Sequence, residues 1–147
     1  MDVGQVSTYS FSDVVGVINS IIGSFPFQGV GVGDLNVEMS TDKTVHTIAN
    51  DGSIMISLIP GDNGVFTLNC LQNSLLNTFL ANLYNASKVG GSATWASTSI
   101  YLREIVGLRS ITMTGVSFQK RAGLPYQQQG QMRTWTFMAA DIQEITA

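Results

Sequence analysis

Histidine and cysteine are the side chains that most often hold metals or act as nucleophiles, and this chain has one of each, His46 and Cys70. A zinc site needs three or four ligands at defined spacings, which these two residues cannot supply without scattered carboxylates. We therefore expect His46, in TVHTIA, to face solvent or a neighbour along a strand. Cys70 is expected to behave as a small core residue. The sequence predicts neither a metal site nor a cofactor.

Three further motifs have residue types that could support chemistry. Serine and aspartate are abundant, so a Ser–His–Asp triad is formally available, but no nucleophile elbow G-x-S-x-G occurs. GVGVGD, at 29–34, lacks the Lys-Ser/Thr of a phosphate-binding loop and does not lie between a strand and a helix, which indicates a bend. GDNG, at 61–64, lacks the acidic ligands of a calcium loop and indicates a turn. We expect no catalytic residue, and the alternative is a small enzyme with a dispersed site.

The composition is that of a folded chain with a neutral polar surface. The chain has 147 residues, which suits one domain over 1–147, and 44% of them are hydrophobic. Charged residues make up 12%, against about 25% in an average protein, while Ser, Thr, Asn and Gln number 46. Interface cores are depleted in charge. The composition therefore favours a subunit covered by copies of itself over a monomer with an unusual surface.

The charges are divided unevenly along the chain. Residues 1–62 hold seven acids and one base, a net charge of −6, whereas residues 63–147 hold three acids and six bases, a net charge of +3. A total of −3 with a pI near 4.8 argues against a nucleic-acid-binding face. The division suits head-to-tail contact between oppositely charged ends. The alternative is that strands of both halves interleave and the asymmetry has no role.

The sequence carries no pattern of export or membrane insertion. Cys70 is the single cysteine, so no internal disulfide can form. The N-terminal MDVGQVSTYSF lacks the basic start and apolar run of a signal peptide. The longest apolar run, Val14 to Gly23, is interrupted by Asn19 and Ser20 and is too short to span a bilayer. We expect a soluble protein made in a cytoplasm, with no membrane partner.

Alternating apolar residues predict a mainly β protein. SIMISLIP and VFTLNCL alternate with period two, and the turn residues 60–64 between them predict a hairpin. A second turn is predicted at 50–52, and a loop at 123–130. Further strands are predicted at Val14–Ile22, Val30–Met39, Thr44–Ala49, Thr94–Leu102, Ile111–Phe118 and Met132–Ile142. About eight strands indicate a β-sandwich or partly closed barrel, with one helix packed against an open side.

One helix is predicted in CLQNSLLNTFLANLYNAS, beginning after Asn73 or Ser74. Its apolar residues repeat with helical spacing, at Leu75, Leu76, Phe79, Leu80, Leu83 and Tyr84. The opposite face, with Asn77, Asn82 and Asn85, carries amides and no charge. A neutral face can contact neighbouring protein without burying an unpaired charge. These three asparagines are the candidate helix interface.

Several sequence blocks follow one another in a fixed order along the chain. An N-terminal block with Tyr9 and Asp13-Val14-Val15 precedes the bend GVGVGD and the strand LNVEMSTDK. NDGSIMISLIPGDNGVFTLNCLQNSLLNTFLANLY follows, and MRTWTFMAADIQEITA closes the chain. The segment KRAGLPYQQQGQ lies outside these blocks. The order of the blocks resembles that of the tail tube proteins of contractile, long-tailed bacteriophages.

The resemblance implies a structural virion protein. Members of this family form hexameric rings whose inner strands join into a continuous β-barrel, and the rings stack into a hollow tube. The tube lies inside a contractile sheath, meets a baseplate and a tail terminator, and surrounds a lumen through which viral DNA passes without specific binding. Such a subunit is assembled in the host cytoplasm and ends in the virion tail. The same fold recurs in type VI secretion and contractile injection systems, so the fold alone does not choose among them.

Charge then predicts which residues face the lumen and which reach another ring. A conduit for DNA needs a neutral or acidic wall. Asp34, Glu38 and Asp42 share one strand parity, provided that the strand continues through Ser40, and are the candidate lumen-facing residues. The candidate ring-stacking residues are Lys43, Lys120 and Arg121.

A surface β-domain that binds a receptor or a sugar is the other class of protein to consider. Such a domain needs exposed aromatic side chains in a cleft. The aromatic side chains that could supply one are Trp95, Tyr101, Tyr126 and Trp135. Because Trp95 and Trp135 lie in strand patterns, we expect both to pack in the core.

Overall fold

The computed structural model describes residues 10, 13–28, 32–105 and 108–146. Within those ranges the chain forms nine strands and one α-helix, α1. In order they are β1 (Val14–Ser20), β2 (Gly23–Phe27), β3 (Val32–Met39), β4 (Thr44–Ile48), β5 (Ile54–Leu58), β6 (Gly64–Leu71), α1 (Leu75–Val89), β7 (Thr98–Glu104), β8 (Arg109–Phe118) and β9 (Met132–Thr146). Tyr9 and the start of the glycine-rich bend, at 29–31, lie outside the described residues.

Seven strands form one curled antiparallel sheet in the order β2-β1-β7-β8-β9-β6-β3. The long strand β9 pairs with β6 from Met132 to Ala139 and with β8 from Phe137 to Thr146. The curl brings Leu35 of the last strand, β3, to the same 240 Å³ cavity as Val14 of β1 and Leu102 of β7. The prediction of a mainly β fold, partly closed as a barrel and with one packed helix, is confirmed.

The core lies between one face of this sheet and the inner side of α1. Trp135, Phe66 and Phe137 are its largest fully buried side chains. Phe118 joins them, with ring centroids 5.4 Å from Trp135 and 4.7 Å from Phe137. Burying an aromatic or aliphatic side chain of this size contributes about 1.5–3 kcal/mol to folding. The alternating strands β6 and β9 are therefore the central supports of the fold.

A bulge in β8 lets that strand keep its apolar side chains inward. Gly115 has φ of 60°, and two residues of β8, Thr114 and Gly115, lie opposite one residue of β7. Because of the extra residue, the inward-facing position after Met113 is Val116, three residues later instead of two, and both side chains are fully buried. A glycine meets the left-handed backbone conformation at little cost.

The predicted helix is present, but its buried face is rotated about the helix axis relative to the prediction. Ser74 caps it, its Oγ accepting a hydrogen bond from the Asn77 backbone N–H at 3.1 Å. Leu76, Leu80 and Leu83 are buried as predicted. Leu75, predicted on the apolar face, is 80% exposed, whereas Asn77, predicted on the polar face, is buried. The helix therefore presents an amide to the core.

The predicted hairpin of SIMISLIP with VFTLNCL is wrong. β5 pairs with β4, through the predicted turn at 50–52, and the two form a separate two-stranded sheet. β6 pairs with β3 and β9 instead. Strand β2 was not predicted, because Val14–Ile22 was expected to run as one strand. Gly23, with φ of 119°, follows a turn and begins the return strand, whose Pro26 suits the edge of a sheet.

Candidate assembly surfaces

Among the described residues, none pairs with the outer edge of either end strand of the seven-stranded sheet. The last strands, β2 and β3, each pair with one neighbour within the described residues, β1 and β6 respectively. Such strands leave backbone N–H and C=O groups free to pair with another chain. The sheet therefore offers two pairing edges, one on each side of the curl.

The face of this sheet that points away from the core is neutral and acidic along β3, β6 and β9. We call these outward positions the core-distal face. The register aligns Asp34 with Asn69 and Thr134 across the three strands. The Asn69 Nδ2 donates to Asp34 Oδ1, and the Thr134 hydroxyl donates to Asn69 Oδ1. Where the three strands pair with one another, the remaining outward positions are Asn36, Glu38, Val65, Thr67, Leu71, Met132, Thr136 and Met138. None of these outward residues is a lysine or arginine.

Two of the three candidate lumen residues share this face. Asp34 and Glu38 both project outward from β3. The strand ends at Met39, and Asp42 lies in the connection before β4. The condition that the strand continue through Ser40 is thus not met. Asp42 does not extend the acidic row of β3.

The chain between β3 and β6, residues 40–63, forms a hairpin arm that stands apart from the core. Pairing of β4 with β5 puts Ile48, Ile54, Ile56 and Leu58 on one face, together with His46. These four aliphatic side chains are 55–82% exposed, and the buried hydrophobic residues all come from outside the arm. An isolated two-stranded hairpin is marginally stable in water. An exposed apolar face of this kind is typical of a surface that contacts another molecule.

The base of the arm is tied to the sheet. The backbone N–H of Ser40 donates to the Asn63 carbonyl at 3.1 Å, and that of Ile142 donates to the Asp62 carbonyl at 2.8 Å. Lys43 Nζ lies 2.8 Å from the Asp62 carboxylate, and its hydrogen bond and charge lower the pKa of Asp62. Lys43, a candidate for ring stacking, is therefore paired within its own subunit.

Arg121, another candidate for ring stacking, lies against α1, and the third candidate, the exposed Lys120, precedes it in the chain. Arg121 Nη2 donates to Asn85 Oδ1 at 2.8 Å, and its Cζ lies 4.8 Å from the Tyr84 ring centroid. Lys88 follows these helix residues by three and four positions and so occupies the same helix face. We call Lys88, Lys120 and Arg121 the basic cluster. Among the described residues, the basic partners in ion pairs are Lys43 and Arg109. The basic cluster therefore has no carboxylate partner within the described part of the chain.

Of the three helix asparagines, Asn77 serves the interior. Its Oδ1 accepts from Trp135 Nε1 at 3.1 Å and from Arg133 Nη1 at 3.3 Å, while its Nδ2 donates to the Gln72 carbonyl at 2.8 Å. Asn82 and Asn85 are exposed. The expectation that Asn77 faces a neighbouring protein therefore differs from the structure, because two buried donors of β9 require its oxygen.

Sequence reasoning missed Arg133 as an interior residue. Its side chain stacks on Trp135, with Cζ 4.3 Å from the ring centroid, and Nη2 donates to the Ala122 carbonyl at 3.1 Å. Burial is the main cause that lowers the pKa of Arg133. The signal was the inward parity of β9, in which residue 133 precedes Trp135 and Phe137 at two-residue intervals. That parity places the guanidinium between the sheet and the helix.

The remaining sequence candidates for chemistry are separated in the fold. His46 is exposed on β4, as expected, and Cys70 is fully buried, where burial raises the pKa of its thiol. Trp135 is buried and Trp95 packs against Tyr84, so neither lines an exposed aromatic cleft. The described residues contain no group of three potential metal ligands. Among the helices they form, none has the length and apolar character needed to cross a membrane.

The fold of this chain is similar to that of chains in solved contractile injection systems. It superimposes on a chain of the anti-feeding prophage baseplate, solved with 6-fold symmetry imposed, with a TM-score of 0.62 at 10% identity over 97% of both chains. A chain of the sheath/tube terminator of the extracellular contractile injection system PVC gives 0.59 at 10% identity, over 97% of this chain and 99% of that one. The PVC sheath-tube complex gives 0.54 at 10% identity, over 90% and 88%.

The sequence itself places the chain in one family. Residues 6–147 match the family model described as the Bacteriophage PhiTE tail tube protein, and the chain belongs to that family. No curated protein sequence matches it significantly. The resemblance to contractile tail tube proteins, given by the order of the sequence blocks, is confirmed.

Proposed function

We propose that residues 1–147 act as one tail-tube domain, the subunit of hexameric rings that stack into the inner tube of a contractile viral tail. The observation that carries the proposal is the curled seven-stranded sheet, whose two outer edges are left unpaired by the part of the chain that the structure describes. Pairing an edge of one copy with the next, around a ring, covers both edges of the seven-stranded sheet and extends the half-barrel into a closed one. The family match supports the role in a tail tube.

The core-distal face would line the lumen. DNA binds to lysine and arginine through release of its counterions, so a conduit works best with a wall that lacks them. Asp34 and Glu38 add negative charge to a surface of amides and hydroxyls. Viral DNA would then pass along this wall without specific binding. Asp42, on the arm, would lie away from it.

The outer side of α1 would face the proteins that surround the tube. Asn82 is exposed and uncharged, whereas Asn85, nearer the C-terminal end of the helix, is held by Arg121 of the basic cluster. We propose the sheath as the partner on this side, and the baseplate and tail terminator as partners at the two ends of the tube. The fold neighbours support this, because they come from a baseplate, a sheath-tube complex and a sheath/tube terminator. Assembly would take place in the host cytoplasm, and the product would be the virion tail.

A tube subunit of a contractile injection system is the second candidate function. The observation that favours it is the superposition on chains of the anti-feeding prophage and of PVC over most of their lengths. The ring architecture and the proposed surfaces are the same in both cases, and the cargo differs.

Electron microscopy of the purified protein tests the proposal. We expect hollow rods, or rings of six copies, in negative stain and a matching fast-sedimenting species. A solitary protomer at every concentration would contradict self-assembly. A map of the rods with Asp34 and Glu38 on the outer wall would contradict the assignment of the core-distal face to the lumen.

A further inference from the structure

We propose that the hairpin arm of one copy docks on the basic cluster of the next copy along the tube. This contact rests on the proposed tube assembly and specifies which two surfaces of the chain meet between rings. Three observations carry it: the surfaces lie at opposite ends of the subunit, their charges are opposite, and each has exposed apolar side chains beside its charges.

The arm and the basic cluster are attached to opposite ends of the central strands. The arm enters β6 at Gly64, which pairs with Ala139 of β9. At the other end of the ladder, Leu71 pairs with Met132, and the chain continues into α1 and into the 119–131 loop. Seven residue steps of β6, from Gly64 to Leu71, separate the two ends, a span of about 23 Å. Within one subunit the attachment points of the arm and the cluster are therefore far apart, whereas a copy shifted along the strand direction brings an arm and a cluster together.

The charges on the two surfaces are opposite and unpaired. Asp42 lies near the base of the arm, and Asp51 lies in the turn at its tip, where the Ser53 backbone N–H donates to its Oδ1 at 2.9 Å. Neither carboxylate takes part in an ion pair among the described residues. On the other surface, Arg121 is held against Asn85 and Tyr84. A guanidinium that is already positioned loses less conformational entropy when it meets a carboxylate.

Apolar side chains flank both sets of charges. The arm presents the aliphatic face that contains Ile48, Ile56 and Leu58. Val89, next to Lys88, is 88% exposed, and Tyr126, in the same loop as Arg121, is 80% exposed. Apolar contact excludes water, and the exclusion of water strengthens the ion pairs within it. The two surfaces therefore complement each other in both respects.

A second copy is the occupant that the chain itself identifies. Each subunit carries the acidic, apolar arm and the basic, apolar cluster together, so one contact repeats between successive copies without closing on itself. An acidic segment of another protein, or a nucleic acid, could also meet a basic surface. Either would leave the assembly of the purified chain independent of the arm, which separates these cases by experiment.

Charge reversal and re-pairing test the contact. We expect K120E/R121E to raise the protein concentration needed for rods by about tenfold, with separate rings in place of rods, because like charges then meet between copies. D42K/D51K should do the same. The combination of the four substitutions restores opposite charges and should return the threshold to within about threefold of wild type.

A matched control separates pairing from net charge. D34K/E38K changes the charge by the same amount as D42K/D51K, on β3 and outside the arm. Combined with K120E/R121E, it should fail to restore rods, and rescue by this control would overturn the proposal. Reversals that leave rod formation unchanged would overturn the docking and leave the tube intact, whereas a wild-type chain that never assembles would overturn both. Far-UV circular dichroism confirms that each variant is folded before the comparison.

Discussion

At the scale of single residues, the polar group that matters most is the buried side-chain oxygen of Asn77. It accepts hydrogen bonds from Trp135 and from Arg133, and the guanidinium of Arg133 has no carboxylate within reach among the described residues. A buried donor without an acceptor costs about 1–3 kcal/mol. The side-chain amide of Asn77 thus stabilises the burial of the Arg133 guanidinium and the Trp135 indole between β9 and the helix.

Substituting Asn77 tests this role. We expect Asn77→Ala to lower the free energy of unfolding by about 2–4 kcal/mol, because it strands donors of both Arg133 and Trp135. Asn77→Asp keeps the acceptor and adds a charge opposite Arg133, so it should lose less. Asn82→Ala, on the exposed side of the same helix, should change stability by less than about 0.5 kcal/mol. Urea unfolding followed by tryptophan fluorescence measures all three, and equal losses at 77 and 82 would contradict the assignment.

The single thiol gives a second test at this scale. Cys70 is fully buried, and its Sγ donates to the Arg133 carbonyl at 3.8 Å. Burial raises the pKa of this thiol, so less thiolate is present at neutral pH. We expect a thiol reagent at pH 7.5 to leave the folded protein unmodified and to label it fully in denaturant. Rapid labelling of the folded protein would show that β6 opens more readily than its position in the sheet implies.

The sequence predicted the spacing of the buried residues correctly, and it predicted less well which face of the helix is buried. Alternation put Phe66, Leu68 and Cys70 on one side of a strand, and the structure buries all three. The helix period was also correct, yet Leu75 and Asn77 exchanged their expected environments. The cause lies 56 residues away in the chain, at Arg133. Hydrogen-bond donors on β9 determine which helix residues face the core. A local pattern does not contain that information.

At the scale of elements, the same limit explains the wrong hairpin. β5 and β6 both alternate, and the turn residues between them satisfy the usual chemistry of a reversal. Their apolar side chains have different surroundings, however: Phe66 and Leu68 enter the core, while Ile56 and Leu58 remain exposed. Strand signals predict that a segment is extended without predicting its partner. The exposed aliphatic face of the arm could only be recognised once the pairing was known.

Removing the arm should separate folding from assembly. Ser40 and Asn63 already meet through a backbone hydrogen bond, so a short Gly-Asn turn can replace residues 41–62. Because the buried hydrophobic residues lie outside the arm, the shortened protein should keep its stability to within about 1–2 kcal/mol. It should form no rods. Thermal unfolding and sedimentation velocity measure the two properties, and rods of the shortened chain would contradict a role of the arm in assembly.

At the scale of the whole molecule, the acidic first half and the basic second half of the sequence are only partly separated in the structure. The basic cluster and the arm lie at opposite ends of β6, as an acidic first half and a basic second half would suggest. Arg109 departs from this, because it lies 3.3 Å from Glu144 and 3.7 Å from Glu104, all in the second half. Antiparallel pairing brings distant segments together, so net charge by half-chain predicts the sign of each end and not the individual contacts.

Salt dependence tests whether charge drives the association of rings. The Debye length falls from about 10 Å at 0.1 M salt to about 3 Å at 1 M, which weakens contact between exposed charges. Apolar contact responds weakly to sodium chloride and is strengthened by sulfate. We therefore expect the concentration needed for rods to rise severalfold between 0.1 and 1 M sodium chloride. The K120E/R121E variant should lose this response or reverse it, since its ring-to-ring charges repel. Light scattering follows the titration, and an unchanged threshold for wild type across the whole range would show that the stacking contact is apolar.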